Sequence, residues 1–478
     1  MHLQRMGDAG DQPVASTSSP TVSVADDHLV RFLATELERK LFGAKRQLSI
    51  SVLRSSPRRS HSLFPWATLA REPPYRQERP HVFVEDILVA LCERDREQAD
   101  VPSMGLEASL YTIPATSTCL LYVAKVDTTG LISYSKELSS PARELTRAFL
   151  AYHFARPPRG MKRLRVHIFG RAADQYLFPL SADNKGKKVL DDRRLCAWWK
   201  SVLSESAPAS AERYYLFPGF TELEATRIAP QDTPAWTYGH PYSATSSPLY
   251  TTMHVTPLSE ASPSPSASSD LVLTVGDLIP NFSDDPKGRY TRSLAQSRAE
   301  NVGDVGDYDD VVRKAEKASN AALAKLQHDR LERDLSSERA RLANVQLDQW
   351  WENMAFRQEC SGGRICAFFV VVQDEPVDIV PPESRIDPLA GSVAHNVYTT
   401  LWQKMHDIDY SSREEAVAKI HDWQAAVSKA CDSDTSAICR SITIDRARPD
   451  KSEDLKRSAP VAAVTKLMPR KKLKPAAA

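Results

Sequence analysis

Residues 82 to 126 constrain the fold most strongly, because strand-like runs follow one another closely there. The runs are "HVFVEDILVAL", "ASLYTI" and "CLLYVAKV". Short apolar segments rich in β-branched and aromatic residues are typical of buried strands. Two further strands are predicted at "QLSISVL", where apolar residues alternate, and at "RLRVHIF". The chain is therefore expected to fold around a sheet.

Helical patterns lie between and around these strands. Apolar residues recur at helical spacing in "DDHLVRFLATELERKLF". In "SPARELTRAFLAYHF", Ser140 is a suitable cap and Pro141 suits the first helical position. The acidic start of "DDRRLCAWWKSVL" suits the positive end of a helix. Strands and helices do not alternate regularly, so we predict a mixed α/β (α+β) fold, with a central mixed sheet surrounded by helices.

Composition divides the chain into five parts. Residues 1–26 are rich in Ser, Thr, Pro and Asp and are predicted to be disordered. One large core is predicted in two pieces, 27–297 and 350–445, the first with a flexible low-complexity insert at 259–270. Residues 298–349 are a charged insertion, either disordered or a helix that packs on the core, pairs with a partner or stands in solvent.

The last part, residues 446–478, has ten Lys and Arg against three Asp and Glu, a net charge of +7. It includes "PRKKLKP". Such a tail is either solvated, or a nuclear localisation signal or an arm for acidic partners.

Charge and hydropathy exclude several functional classes. The 62 Lys and Arg against 61 Asp and Glu give a net charge of +1, which argues against a protein that coats nucleic acid. No apolar run approaches the roughly 20 residues of a membrane span, and the N-terminus lacks a signal-peptide stretch. The seven scattered cysteines contain no CxxC pair, so we predict buried thiols in a reducing compartment and no metal site.

Familiar catalytic motifs are also absent. The sequence contains no GxGxxG, GxxxxGK[ST], GxSxG or HExxH. Their absence does not exclude a site built from carboxylates, aromatic residues and a bound acyl carrier. Three stretches could form one: "YVAKVDTTG", "FGRAADQYLFPLSADNKGKKVLDDRRLCAWW" and "SDDPKGRY". Each has an ordinary structural alternative, namely a turn-forming Asp, core tryptophans or a salt-laced turn.

Taken together, these stretches resemble the fungal histone acetyltransferases that regulate transposition and modify newly made histones. That family is distantly related in structure to the metazoan CREB-binding-protein acetylases. The matching pieces occur in family order from about residue 120 to the C-terminus: "AKVDTTG", "RAADQYLFP", "KGKKVLDDRRLCAWW", "PAWTYGHPY", "DDPKGRY" and "AVTKLMPRKKLKP".

The resemblance implies roles for individual residues. The implied catalytic residues are Asp127, Tyr176, Asp284 and Asp285. An acetyl-CoA site is implied at Val126, Asp127, Thr128, Ser139, Ser140, Arg143, Phe169, Arg171, Ala173, Val189, Leu190, Asp191, Trp198 and Trp199. At Val189 this sequence departs from the family, which has a histidine there. Asp127 is expected to contact Lys287, and Lys287 to be acetylated by the enzyme itself.

The implied chemistry is acetyl transfer from acetyl-CoA to a lysine of histone H3. A lysine with a pKa of ~10.4 is seldom neutral at pH 7, so a carboxylate such as Asp285 is expected to accept its proton. No cysteine suits an acyl intermediate, which favours direct transfer in a ternary complex. The implied partners are histones H3 and H4 with anti-silencing-type and nucleosome-assembly-protein-like chaperones, in the nucleus, during DNA replication and repair. The alternatives are a non-catalytic chromatin adaptor and a small-amine acyltransferase.

Overall fold

The computed structural model describes residues 29–67, 80–135, 137–230, 235–243, 246–249, 273–296, 321–357, 360, 364–375, 386–431 and 438–447. Eleven strands lie in these ranges: β1 Gly43–Ser55, β2 Arg58–Ser60, β3 Val82–Arg94, β4 Asp100–Ile113, β5 Thr118–Thr128, β6 Arg163–Arg171, β7 Glu212–Leu216, β8 Thr237–Tyr238, β9 Cys366–Asp374, β10 Ser392–Val393 and β11 Cys439–Arg446. Ten α-helices accompany them: α1 Leu29–Lys40, α2 Pro141–Ala155, α3 Asp192–Ser206, α4 Glu222–Ile228, α5 Val275–Leu278, α6 Pro286–Gln296, α7 Ala321–Leu342, α8 Leu347–Met354, α9 His395–His406 and α10 Arg413–Ala430. None of these helices combines the length and the apolar character that crossing a membrane requires.

The strands form one mixed sheet. Its main order is β10-β1-β3-β4-β5-β6-β9-β7-β8, with β11 on the outer side of β1 and β2 beside β3. Most neighbours are antiparallel, but β5 and β6 are parallel because α2 carries the chain back between them. The predicted mixed sheet surrounded by helices is confirmed.

Alternation along the strands divides the core between the two faces of the sheet. In β3, Ile87, Val89 and Leu91 pack on the face covered by α1, α2, α3 and α4. Leu88 and Ala90 face the opposite side, where α9 and α10 pack. The remaining apolar cluster, also on that opposite side, contains residues of α5, α6, α7 and α8. Burial on both faces explains why the strands read as nearly continuous apolar runs.

The predicted elements occur where the periodicity placed them, but β4 begins at Asp100, well before the predicted run "ASLYTI". The helix after Ser140 begins at Pro141, as expected, and Ser140 Oγ caps it by accepting the N–H of Ala142. Several elements escaped prediction, most of them short: β2, β7, β8, β10, β11, α4, α5 and α8.

The second half of the charged insertion packs on the core. Leu335 and Leu342 of α7 are buried, and Trp66 Nε1 donates to Glu338 Oε2 at 2.7 Å. Arg339 forms an ion pair with Asp277 at 2.7 Å. Among the alternatives for this helix, the structure therefore shows packing on the core. Residues 1–28, 250–272, 297–320 and 448–478, with the predictions made for them, lie outside the described residues.

Helix α2 brings a buried histidine into the core and predicts an acid-sensitive fold. Burial lowers the pKa of His153 from 6.5 to about 4, and its neutral ring bonds the Phe149 carbonyl at 2.8 Å. Between pH 4 and pH 6.5, His153 binds a proton in the unfolded chain but not in the folded one. The free energy of unfolding therefore falls as the pH drops from 6.5 towards 4. The expected loss is about 3 kcal/mol.

Urea unfolding at pH 7 and pH 4.5 tests this. His153→Gln should flatten the pH dependence, whereas the same change at His421, exposed on α10, should not. An equal slope in the His153 variant and the parent would contradict the assignment.

Candidate active site

A cavity of about 350 Å³ lies where β5 and β6 stop pairing. Their parallel ladder ends at Val123 and Ile168, yet β5 continues to Thr128 and β6 to Arg171. Beyond that point β5 stays paired with β4 and β6 with β9, so the two strands diverge from each other. They leave a wedge at their carboxyl ends, which is where ligands bind in sheets containing parallel strands. The residues around it include Val126, Asp127, Thr128, Ser140, Arg143, Phe169, Arg171, Ala173, Tyr176, Val189, Leu190, Trp198 and Trp199. The structure thus brings together most of the residues implied for the acetyl-CoA site.

The wall opposite the strands is aromatic and comes from α3. Trp198 is half-buried and Trp199 is 6% exposed, with their rings edge to face at 4.8 Å. Leu195, three and four residues earlier, lines the cavity from the same helix face. Asp191 does not line the cavity; its carboxylate accepts the Arg194 N–H at 2.8 Å and caps α3. Asp191 therefore orients the tryptophan helix.

One rim of the cavity is the positive end of α2. Ser140 and Arg143 both lie there, and Arg143 donates to Ser201 Oγ at 2.6 Å and pairs with Glu205. A helix N-terminus with an arginine is a suitable anion site. Ser139 was expected to share this role and does not line the cavity. Its hydroxyl accepts the Phe42 N–H at 2.9 Å and so ties the loop to the end of α1.

Asp127 is a structural anchor at the end of β5. Its Oδ2 accepts the N–H groups of Tyr176 at 2.7 Å and Leu177 at 3.0 Å, and its Oδ1 lies 2.9 Å from Lys187 Nζ. The side chains of Asp127 and Lys187 are each 4% exposed. Asp127 therefore fixes the loop of residues 172–190 against the strand.

The predicted contact between Asp127 and Lys287 is wrong. Each lysine has its own carboxylate, because Lys187 pairs with Asp127 and Lys287 pairs with Asp285. The sequence alone could not tell whether Asp127 pairs with Lys187 or with Lys287.

Tyr176 lies at the cavity with its hydroxyl already satisfied. The hydroxyl donates to the Arg171 carbonyl at 2.5 Å and accepts the Ala173 N–H at 2.8 Å. Burial raises its pKa to about 12, so the phenol stays protonated at neutral pH. Its observed contacts fold the 171–176 turn onto itself.

Asp285 and Lys287 form a buried pair beneath the cavity rather than in its wall. Asp285 is 1% and Lys287 2% exposed, and Asp285 Oδ1 also accepts the Lys287 N–H at 2.8 Å. The Lys287 ammonium lies 4.4 Å from the ring of Phe368, which stacks on the cavity residue Phe169 at 5.0 Å. Burial lowers the pKa of Lys287, and Asp285 opposes that shift. Contacts therefore connect the pair through Phe368 to Phe169 at the cavity.

Asp284 lies closer to solvent than Asp285. Its carboxylate, half-exposed, is 3.3 Å from Lys125 Nζ, and Lys125 lines the cavity. The same ammonium pairs with Glu107 at 3.0 Å and lies over the ring of Trp402 at 5.6 Å. Asp284 is thus linked to the mouth of the cavity through Lys125.

Sequence reasoning assigned no role to Lys125, Glu107 or Gly130, and included Gly186 and Lys187 only within the matching piece "KGKKVLDDRRLCAWW". The backbone amide of Gly186 donates to the Gly130 carbonyl at 3.1 Å, which brings "DTTG" and "KGKK" together. Both glycines stand within motifs that were identified, so their presence there was the available signal. The partners of Lys125 lie on three separate elements and left no local signal.

Fold and cavity together define an acetyltransferase-type site, with an aromatic-walled cavity between diverging parallel strands and a cationic rim. A model of the histone acetyltransferase KAT11-type domain matches residues 152–432. The chain therefore belongs to that family.

Named relatives agree with this assignment. The chain is 28% identical over 382 residues to histone acetyltransferase rtt109 of Aspergillus flavus, which covers 74% of this chain and 60% of that protein. It is 22% identical to histone acetyltransferase rtt109 of Schizosaccharomyces pombe, over 58% of each protein. The chain thus spans about 60% of the length of these curated relatives.

A solved structure shares the fold. The crystal structure of Rtt109 from Aspergillus fumigatus superposes with a TM-score of 0.61 at 24% identity, over 87% of this chain and 100% of that one. At this identity the likeness supports the fold alone.

The tryptophan wall gives a direct test of ligand binding. Trp198→Ala should weaken acetyl-CoA binding with a modest loss of stability, because Trp198 is half-buried and lines the cavity. Trp199→Ala should weaken binding and also cost about 3–5 kcal/mol of stability, as core truncations of tryptophan do.

Calorimetric titration with acetyl-CoA, together with thermal melting, measures both effects. Trp236→Ala is the matched control, because Trp236 is 3% exposed in the same core and does not line the cavity. It should lower stability and leave affinity unchanged. Unchanged affinity in Trp198→Ala would exclude the tryptophan wall from the binding site.

Proposed function

We propose that this protein transfers the acetyl group of acetyl-CoA to a lysine of histone H3. The observation that carries the proposal is the cavity between the diverging ends of β5 and β6, within a chain of the KAT11-type family. Its apolar wall of Phe169, Trp198 and Trp199 suits the thioester arm of the coenzyme. The α2 N-terminus with Arg143, and the exposed Arg171 and Lys188, suit its phosphates.

Direct transfer within a ternary complex is the proposed route. The amine of the substrate must be neutral to attack the thioester carbon, and its proton must pass to a base. Asp285 is the proposed proton acceptor, with Asp284 beside it. An acyl-cysteine route is disfavoured because Cys196, on α3, is fully buried, and burial raises its pKa to about 12. That thiol stays protonated and lacks access to the coenzyme.

Histone H3 with H4, delivered by anti-silencing-type or nucleosome-assembly-protein-like chaperones, is the proposed substrate complex. The relatives are named as histone acetyltransferases, which supports a histone substrate. We place the protein in the nucleus, in chromatin assembly during DNA replication and repair. The net +7 of residues 446–478 suits a nuclear import receptor or an acidic chaperone.

Radiolabelled acetyl transfer tests the proposal. Purified protein, labelled acetyl-CoA and H3–H4 are combined with and without each class of chaperone, and with a polyamine in place of histone. Label on H3 that rises with chaperone is the expected result. Label on the polyamine alone would indicate a small-amine acyltransferase. Chaperone binding without acetyl-CoA binding would indicate a non-catalytic adaptor.

Lys287 is the proposed site of self-acetylation. Burial lowers its pKa, which increases the neutral fraction of its amine, and Asp285 is placed to take the proton. Acetylation would replace a buried charge by an amide that can still donate to Asp285. Loss of the Lys287 charge would also change the electrostatic field at Asp285.

Peptide mass spectrometry of protein made in a host without related acetylases should find acetyl-Lys287. The modification should be absent from the Asp285→Asn variant, while surface lysines such as Lys419 serve as the control for chemical acetylation. Unmodified Lys287 in fully active protein would leave it as a counter-ion of Asp285.

A further inference from the structure

Two thiols are in contact beside the Asp285–Lys287 pair. Cys366 Sγ donates to Cys360 Sγ at 3.1 Å, with five residues between them in the chain. All seven cysteines lie among the described residues, and Cys360–Cys366 is the one sulfur–sulfur contact between them. A disulfide has a sulfur separation of about 2.05 Å, so an approach of about 1 Å would close it.

The two cysteines have different surroundings. Cys366 is 3% exposed and begins β9, where it is paired in register with Arg171 of the cavity rim. Cys360 is half-buried, so a small oxidant can reach it. The hydrogen bond that Cys366 donates to Cys360, together with burial, raises the pKa of Cys366. The Cys360 sulfur is therefore the acceptor, and the better placed of the two to react first.

We infer that Cys360 and Cys366 form an oxidation site that closes to a disulfide and thereby acts on the Asp285–Lys287 pair at the start of α6. With hydrogen peroxide as oxidant, the Cys360 sulfur attacks one peroxide oxygen, the O–O bond breaks, and Cys360 sulfenic acid and water form. The Cys366 sulfur then attacks the Cys360 sulfur, and the hydroxyl leaves as a second water. Two thiols and one hydrogen peroxide thus give one disulfide and two waters.

Contacts on both sides of the cysteine pair connect it to Asp285 and Lys287. The Cys360 N–H donates to the Arg357 carbonyl at 2.9 Å, and the Arg357 guanidinium lies 4.2 Å from the ring of Tyr290 on α6. Helix α6 begins at Pro286, directly after Asp285. On the other side, Phe368 lies two residues after Cys366 and contacts Lys287. Because β9 is held in the ladder with β6, closure is expected to move Cys360, and α6 with it.

Peptide mapping of the full chain tests the oxidation site without reference to catalysis. The protein is treated with stoichiometric hydrogen peroxide, quenched with an alkylating reagent and digested. The expected product is a peptide pair linked through Cys360 and Cys366, reversed by dithiothreitol and absent from Cys360→Ser. Cys439→Ser is the matched control, because Cys439 is also half-buried but contacts Ser51 rather than a second sulfur. Failure to find the linked pair while Cys360 is alkylated or over-oxidised would overturn the inference.

The effect of oxidation on Asp285 and Lys287 is measured separately, as a change in acetyl-transfer rate, and rests on the proposed function. Oxidation should lower histone acetyl transfer several-fold in the parent and in Cys439→Ser, and dithiothreitol should restore it. Cys360→Ser should keep its full rate under the same peroxide. A linked pair that leaves the rate unchanged would overturn the coupling to Asp285 and Lys287. Absence of acetyl transfer in the reduced parent would instead contradict the proposed function, and the mapping would still decide the oxidation site.

Discussion

Asp285→Asn is expected to lower acetyl transfer to histone by about 10²- to 10⁴-fold, the range associated with loss of a general acid or base. The amide keeps the shape of the carboxylate and cannot take the proton of the substrate amine. Initial rates at saturating acetyl-CoA and histone, with chaperone present, measure the change. Acetyl-CoA affinity should remain close to that of the parent, because Asp285 does not line the cavity.

The buried partner of Asp285 complicates this result and also supplies its control. Asp285→Asn alone leaves the Lys287 ammonium buried without its carboxylate, which can cost about 3–5 kcal/mol. The double variant Asp285→Asn, Lys287→Gln replaces the ion pair by two neutral amides and removes that cost. If Asp285 carries the proton, the double variant stays slow although its stability recovers. Recovery of the rate together with stability would show that Asp285 is only the counter-ion of Lys287.

Asp284→Asn separates the two neighbouring carboxylates. Asp284 is half-exposed and shares Lys125 with Glu107, so its loss should cost little stability. A large fall in rate for Asp284→Asn, with a small one for the double variant, would transfer the proton-accepting role from Asp285 to Asp284.

Local patterns in the sequence predicted the elements that position the site. Helix α2 was predicted with its cap and first residue, because Ser140 and Pro141 each satisfy a backbone requirement of a helix start. The wall role of Trp198 and Trp199 was implied by the family resemblance, whereas their helical spacing alone favoured ordinary core packing. The motif ending in Asp127 was correctly placed at the end of a strand.

Features that depend on distant pairings were not predictable in this way. Asp127 and Lys187 stand in separate motifs, and no local pattern encodes their pairing. Ser139 resembles a phosphate ligand next to a helix start, yet its hydroxyl is used by Phe42, 97 residues earlier. Strand β11 carries mostly polar residues because only Ile442 and Ile444 face the core, so its signal is weak.

Gly186→Ala should weaken acetyl-CoA binding, because it displaces several cavity-lining residues at once. A Cβ at this position would lie 2.5 Å from the Gly130 carbonyl oxygen and 2.7 Å from that of Ile132. Both are backbone atoms, so the 186–190 segment must move away from the 130–132 turn. Lys187, Val189 and Leu190 move with it, and they line the cavity.

The expected loss is about 1–3 kcal/mol, as for other overpacked sites, which corresponds to roughly 5- to 150-fold in affinity if the displacement falls on the binding segment. Calorimetric titration with acetyl-CoA measures the loss of affinity, and urea unfolding measures the loss of stability. Gly160→Ala is the control: Gly160 has φ +69° and nothing within 4 Å of a new Cβ, so it should lose some stability and no affinity. Full acetyl-CoA affinity in a folded Gly186→Ala variant would show that the 186–190 segment is not part of the binding site, and would leave the strand ends and α3 as its walls.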